Sequence, residues 1–114
     1  MKTSQKKFWE TLAKRAARGW KLKRESSFAV REKRTDHCPV TAVCAELVGK
    51  KYKPHRYNIA ARDIGLDTDF AKMVAAVADY READDYSYDG RNLNPEDFRR
   101  MRKKLLKTLG LEEK

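Results

Sequence analysis

Phe8, Trp9, Leu12, Ala13, Ala16 and Ala17 recur at helical spacing and fall within roughly half of a helical wheel. Lys7, Lys14 and Arg18 share a narrow stripe on the opposite side. Ser4 before this run and Gly19 after it are residue types that start and stop helices, so the pattern predicts a helix over residues 4–18. The period then changes. Trp20-Lys21-Leu22-Lys23-Arg24 alternates apolar with basic, and Glu25-Ser26-Ser27 supplies turn residues. Phe28-Ala29-Val30-Arg31 reads as the partner strand of a small β-hairpin.

Helical spacing returns further on. Pro39 stands at a first helical position after Cys38, and the apolar run from Val40 to Val48 stops at Gly49. Lys50 to His55 is a basic loop broken by Pro54, and Arg56 to Ile64 forms a short helix ended by Gly65. Asp67 or Thr68 can cap a helix over roughly residues 69–81. Only Asp69, Lys72 and Asp79 interrupt its apolar character, so it is expected to be the most buried element. Glu82 to Leu93 is a polar loop. Asn94-Pro95-Glu96-Asp97 is a helix start, with a cap, a proline and two acids facing the positive end of the dipole. The final helix carries Phe98, Met101, Leu105 and Leu109 on one face and ends at Gly110. Arg99, Lys103 and Lys107 line its other face, with Arg100 and Lys104 beside them. The expected fold is mainly α: a compact bundle of about five short helices with one small β-hairpin after the first helix. It forms one domain over residues 1–114, with a strongly basic helix and hairpin in 1–34 and a helical core in 35–111.

Charge changes this picture most. Of 114 residues, 27 are Lys or Arg and 17 are Asp or Glu, a formal charge of +10. Residues 1–34 hold a net +9 and residues 99–114 a net +5, while 68–98 hold a net −5. The acidic stretch can neutralise basic neighbours, but the excess is larger than internal pairing absorbs. Both ends are therefore expected to converge on one cationic face that attracts a polyanion. No apolar run approaches the ~20 residues needed to cross a bilayer, and no short apolar segment after Met1 reads as a secretory signal. Two cysteines without such a signal point to a reducing cytoplasm and not to a disulfide scaffold.

Most charged helix faces are merely solvated. Here the excess has one sign, occupies two separate helices, and continues into Lys21, Lys23, Arg24, Arg31, Lys33 and Arg34. The expected nucleic-acid-binding set is Lys7, Lys14, Arg18, Lys21, Lys23, Arg24, Arg31, Arg99, Arg100, Lys103, Lys104 and Lys107. Residues 4–20 are also basic and amphipathic, with Trp9 and Trp20, but alanines thin the apolar face, so no membrane role is expected. Residues 57–78 follow a helix-turn-helix spacing around Gly65. The second helix opens Asp67-Thr68-Asp69 and offers Lys72 as its one cation, which favours an ordinary αα-hairpin over base reading.

Other constellations are weaker. Asp85, Ser87, Asp89, Gly90 and Glu96 match part of a calcium-loop skeleton, but Asn92 replaces the usual aliphatic tether and Pro95 crowds Glu96, so an acidic cap explains the same letters. His37, Cys38, Cys44 and His55 are the soft ligands, and six-residue spacing of the cysteines within a helix is not zinc spacing. Cys38 beside His37 at a helix start has the setting of an acidified thiol, without the companion acid and histidine of a thiol enzyme. Neither a phosphate-cradling loop, a dinucleotide turn nor a nucleophile elbow occurs, so no cofactor is expected and binding is favoured over catalysis.

Four segments carry a resemblance: Cys38-Pro39-Val40-Thr41-Ala42-Val43; Ala60-Ala61 before Ile64-Gly65-Leu66; Val74-Ala75-Ala76-Val77-Ala78-Asp79; and Leu105-Leu106 before Leu109-Gly110-Leu111. Over about residues 36–111 the chain resembles small uncharacterised helical proteins of phages and prophages. The resemblance implies an accessory protein in the cytoplasm of a bacterial host cell, of the kind that antagonises a defence complex as anti-CRISPR proteins do. It brings no activity and no residue roles, and residues 1–34 lie outside it. The expected function is binding of a nucleic-acid backbone or a nucleoprotein complex without sequence readout. The alternative is a protein–protein inhibitor of a host defence nucleoprotein.

Overall fold

The computed structural model describes residues 1–20, 38–49, 56–79 and 94–111, and five helices are present among them. Their starts follow from the residues that meet the first unpaired amides. Helix α1 is Gln5–Ala17, with Ser4 Oγ accepting from the Lys7 amide at 3.1 Å. Helix α2 is Pro39–Val48, led by its proline, and α3 is Tyr57–Asp63. Helix α4 is Thr68–Asp79; Asp67 caps it, Oδ2 accepting from the Phe70 amide at 2.9 Å. Helix α5 is Pro95–Thr108, where Asn94 Oδ1 accepts from the amides of Glu96 and Asp97 at 2.9 and 3.2 Å.

Three of these helices end alike, with the two residues past the cap donating back into the last turn. Gly19 donates to Ala16 and Trp20 to Arg15; Gly65 donates to Arg62 and Leu66 to Ala61; Gly110 donates to Lys107 and Leu111 to Leu106. This closure corrects the expected hairpin. Trp20, read from alternation as the start of a strand, gives its amide to the Arg15 carbonyl at 3.0 Å and packs half-buried on the core, so it finishes α1. An apolar residue two places past a helix cap covers the last turn, and it spells the same letters as the first inward residue of a strand. No strand occurs among the described residues, and hairpin residues 21–31 lie outside them.

Helix α1 packs on α2, α2 on α3 and α4, α3 on α4, and α4 on α5, while α1 and α5 meet along a short seam. Helix α4 buries five consecutive residues, Val74 to Ala78, as its apolar composition implies. On α1 the buried side is Phe8, Thr11 and Leu12, whereas Trp9 and Ala16 are half-buried and Ala13 and Ala17 exposed. The helix is thus rotated by about a quarter turn from the face its apolar letters suggest. Thr11 can be enclosed because its hydroxyl donates to the Lys7 carbonyl at 2.7 Å, leaving no orphaned polar atom. No helix among the described residues is long and apolar enough to cross a membrane.

The first residues form a strap across the α3–α4 corner. The Thr3 amide donates to the Gly65 carbonyl at 3.2 Å, and the buried Thr3 hydroxyl donates to the Ile64 carbonyl at 2.7 Å. Gly65 has φ +65°, and a β-carbon there would collide with the Met1 carbonyl oxygen and lie 2.9 Å from Lys2 Cα. Gly110 has a similar φ of +73° but nothing within 4 Å of the same added carbon. Gly110→Ala is expected to cost about 1 kcal/mol for the left-handed backbone alone. Gly65→Ala is expected to cost about 2–4 kcal/mol, because the strap must also lift and give up its hydrogen bonds. Urea denaturation of the two variants checks this, and equal losses would refute the strap.

Candidate nucleic-acid interface

Helix α5 supplies the main cationic surface. Phe98, Leu105 and Leu106 anchor it to the core, which turns Arg99, Arg100, Lys103, Lys104 and Lys107 outward. At roughly 100° per residue these five side chains span an arc of about 140°. Arg100 Nη2 pairs with Asp97 Oδ1 one turn back at 2.7 Å. Arg99, Lys103 and Lys107 face no carboxylate within ion-pair distance among the described residues. Arg102, on the inner edge, is half-buried with its guanidinium carbon 5.0 Å from the Phe98 ring centroid.

The α1 stripe lies elsewhere. Lys7 and Lys14 are exposed, but Arg18 is ion-paired to Glu46 of α2, with Arg15 Nη1 3.8 Å from the same carboxylate oxygen. Trp9, on another side of α1, meets α5: Lys104 Nζ is 5.8 Å from its ring centroid. Lys7, Lys14 and Arg18 sit roughly 140–180° around α1 from Trp9. The first and last helices are therefore neighbours, yet their stripes point in different directions and do not form one continuous patch. Lys21, Lys23, Arg24 and Arg31, with Lys33 and Arg34, lie outside the described residues.

The secondary readings separate in the same way. The helix-turn-helix spacing forms α3, a Gly65 turn and α4, but α4 packs against α2, α3 and α5, and its exposed first turn offers Thr68 and Asp69 and no cation. Of the calcium skeleton, Asp85, Ser87 and Asp89 lie outside the described residues, while Glu96 is an exposed first-turn acid whose amide bonds Asn94. No group of three potential metal ligands forms among the described residues. Cys38 is the α2 N-cap residue and Cys44 is buried, and no disulfide joins them.

Residue counting missed a groove beside the cationic helix. Between α1, the start of α4 and α5 lies a depression of about 470 Å³. Trp9, Phe70, Met73 and Met101 form its apolar floor, and Asp67, Asp69, Asp97, Arg100 and Lys104 its polar rim. Phe8, Trp9 and Phe70 meet edge to face, with centroids 5.1, 5.3 and 5.8 Å apart, which fixes the orientation of the Trp9 ring. The available signal was the Phe8-Trp9 doublet, since helical neighbours point about 100° apart and only one can face the core centre.

Glu46→Gln tests the α1–α2 tie. It is expected to destabilise the fold by about 1–2 kcal/mol, the half-buried Arg15 losing its charge partner in a partly screened site. Thermal denaturation measures it, and an unchanged midpoint would show the pair to be surface decoration. Compared with known proteins, the chain matches no family model, no curated protein and no solved structure.

Proposed function

We propose that this protein binds the phosphate backbone of nucleic acid through the outward face of α5, without reading duplex sequence. One observation carries the reading: three exposed cations of that face, Arg99, Lys103 and Lys107, have no carboxylate partner among the described residues, on a chain of formal charge +10. Side chains about one turn apart along a helix match the spacing of phosphates along a strand, and such contacts fix position without carrying sequence information. Lys7 and Lys14 form a secondary stripe that adds long-range attraction more than contact. A phage-type accessory protein with this activity would act in the cytoplasm of a bacterial host.

If the five α5 cations each neutralise a phosphate, log K against log salt on duplex DNA falls with a slope of about −4 to −5. Reversing Arg99, Lys103 and Lys107 together to Glu is expected to flatten that slope by at least about 3 and to weaken binding to every sequence alike. Lys7→Glu with Lys14→Glu is expected to weaken binding much less. Fluorescence anisotropy with unrelated duplexes and single strands at several salt concentrations reads both. Binding that is weak to duplexes and single strands alike, even at low salt, would overturn the proposal in favour of a protein partner, such as a component of a nucleoprotein machine.

A further inference from the structure

We infer that the groove beside α5 seats an unpaired nucleobase, so that the ligand of the cationic face is a single strand and not a duplex; this rests on the backbone-binding reading above. Arg100 and Lys104 belong both to the outward face of α5 and to the rim of the groove, so a phosphate held by them places the adjoining nucleotide over the floor. That floor is aromatic and thioether in character: the half-buried Trp9, and Phe70, Met73 and Met101 around it. The depression is shallow and open, about 470 Å³, so a base can lie along its floor without being enclosed.

The ring that would stack is already held. Phe8 and Phe70 brace Trp9 edge-on, at interplanar angles of 79° and 87°, so little side-chain freedom remains to be lost on binding. Lys104 Nζ lies over that ring, 5.8 Å from its centroid, so a stacking base takes the place of this cation on the ring face and leaves it next to the sugar–phosphate. Stacking of this kind requires a base free of its pair, because a duplex presents base edges and not faces.

The carboxylates across the groove define the base. Asp97 is engaged by Arg100, and Asp67 Oδ2 accepts the Phe70 amide. Asp69 is exposed at the α4 start and has no ion pair among the described residues. A carboxylate accepts from an exocyclic amine, so the complementary bases are cytosine, adenine and guanine, in preference to thymine or uracil. Positive charge for the phosphate on one rim and negative charge for the amino edge on the other is the complementarity a nucleotide presents.

The test measures short single-stranded oligonucleotides of mixed A and C, single-stranded oligo-dT, and a duplex of matched length at one low salt concentration. The unaltered protein is expected to bind the A/C strand at least about tenfold more tightly than the duplex and more tightly than oligo-dT. In a Trp20→Phe background, the remaining tryptophan emission is expected to be quenched by the single strand and not by the duplex. Trp9→Leu is expected to remove about tenfold or more of the single-strand affinity and to leave duplex binding unchanged, while Trp9→Tyr restores it. Should Trp9→Leu fail to fold, the quenching measurement and Asp69→Asn, which is expected to abolish the preference over oligo-dT, decide. Equal, salt-sensitive binding of single strand and duplex without quenching would overturn this inference and leave backbone binding intact. Absence of binding to any of them at low salt would overturn both.

Discussion

Adjacent residues of a helix point about 100° apart, so α1 cannot enclose both Phe8 and Trp9, and the choice between them organises the molecule. Phe8 is wholly buried, edge-on to Phe70 of α4 at 5.3 Å, with Leu12 one turn further along. Burying a ring of this size contributes roughly 1.5–3 kcal/mol, more than several exposed alanines cost. Once Phe8 is inside, the rest of α1 has no freedom of rotation. Thr11 and Arg15 turn inward beside it, Trp9 turns toward α5, and Lys7 and Lys14 remain in water.

The same rotation distributes the charge. Arg15 and Arg18 come within reach of Glu46, so the inner edge of the N-terminal stripe becomes part of the joint between α1 and α2. On α5, no carboxylate among the described residues takes up Arg99, Lys103 or Lys107 in the same way. The helix's own carboxylates, Glu96 and Asp97, sit in the first turn where the helix dipole favours them, and its cations follow, with Lys107 in the last turn where the opposite end of the dipole favours positive charge. Local helix electrostatics and tertiary packing thus both leave one helix strongly cationic and outward. They also put an aromatic floor at its side, since Trp9 was displaced from the core onto that seam.

Much of the architecture was legible because it depends on local chemistry. The caps at Ser4 and Asn94, the prolines at 39 and 95 and the glycines at 19, 49, 65 and 110 set helix limits to within about two residues, since each acts on amides or carbonyls one turn away. The buried character of α4 was equally plain from its composition. Legibility ended where two elements must agree. The face that α1 buries depends on partners for Thr11 and Arg15 that no periodicity reveals, and this is why its stripe proved to point away from that of α5. The strand assigned to Trp20 failed for a different reason: its neighbours in sequence spell both a covered helix end and an alternating strand. The groove was invisible because Trp9, Phe70, Met73 and Met101 each look like ordinary core residues until three helices bring them together.

The Thr3 strap has a consequence for the order in which the chain assembles. Its hydrogen bonds join residue 3 to residues 64 and 65, the longest-range polar ties described, whereas the α3–α4 corner closes over a few residues. The entropy of bringing such distant segments together must be met before either bond is gained. Closing that loop is therefore expected to follow formation of the corner, whose Ile64 and Gly65 carbonyls are the acceptors the N-terminal segment needs. The strap in turn fastens the start of α1, so the helix that orients Trp9 is tethered at its own beginning to the far side of the bundle's sequence.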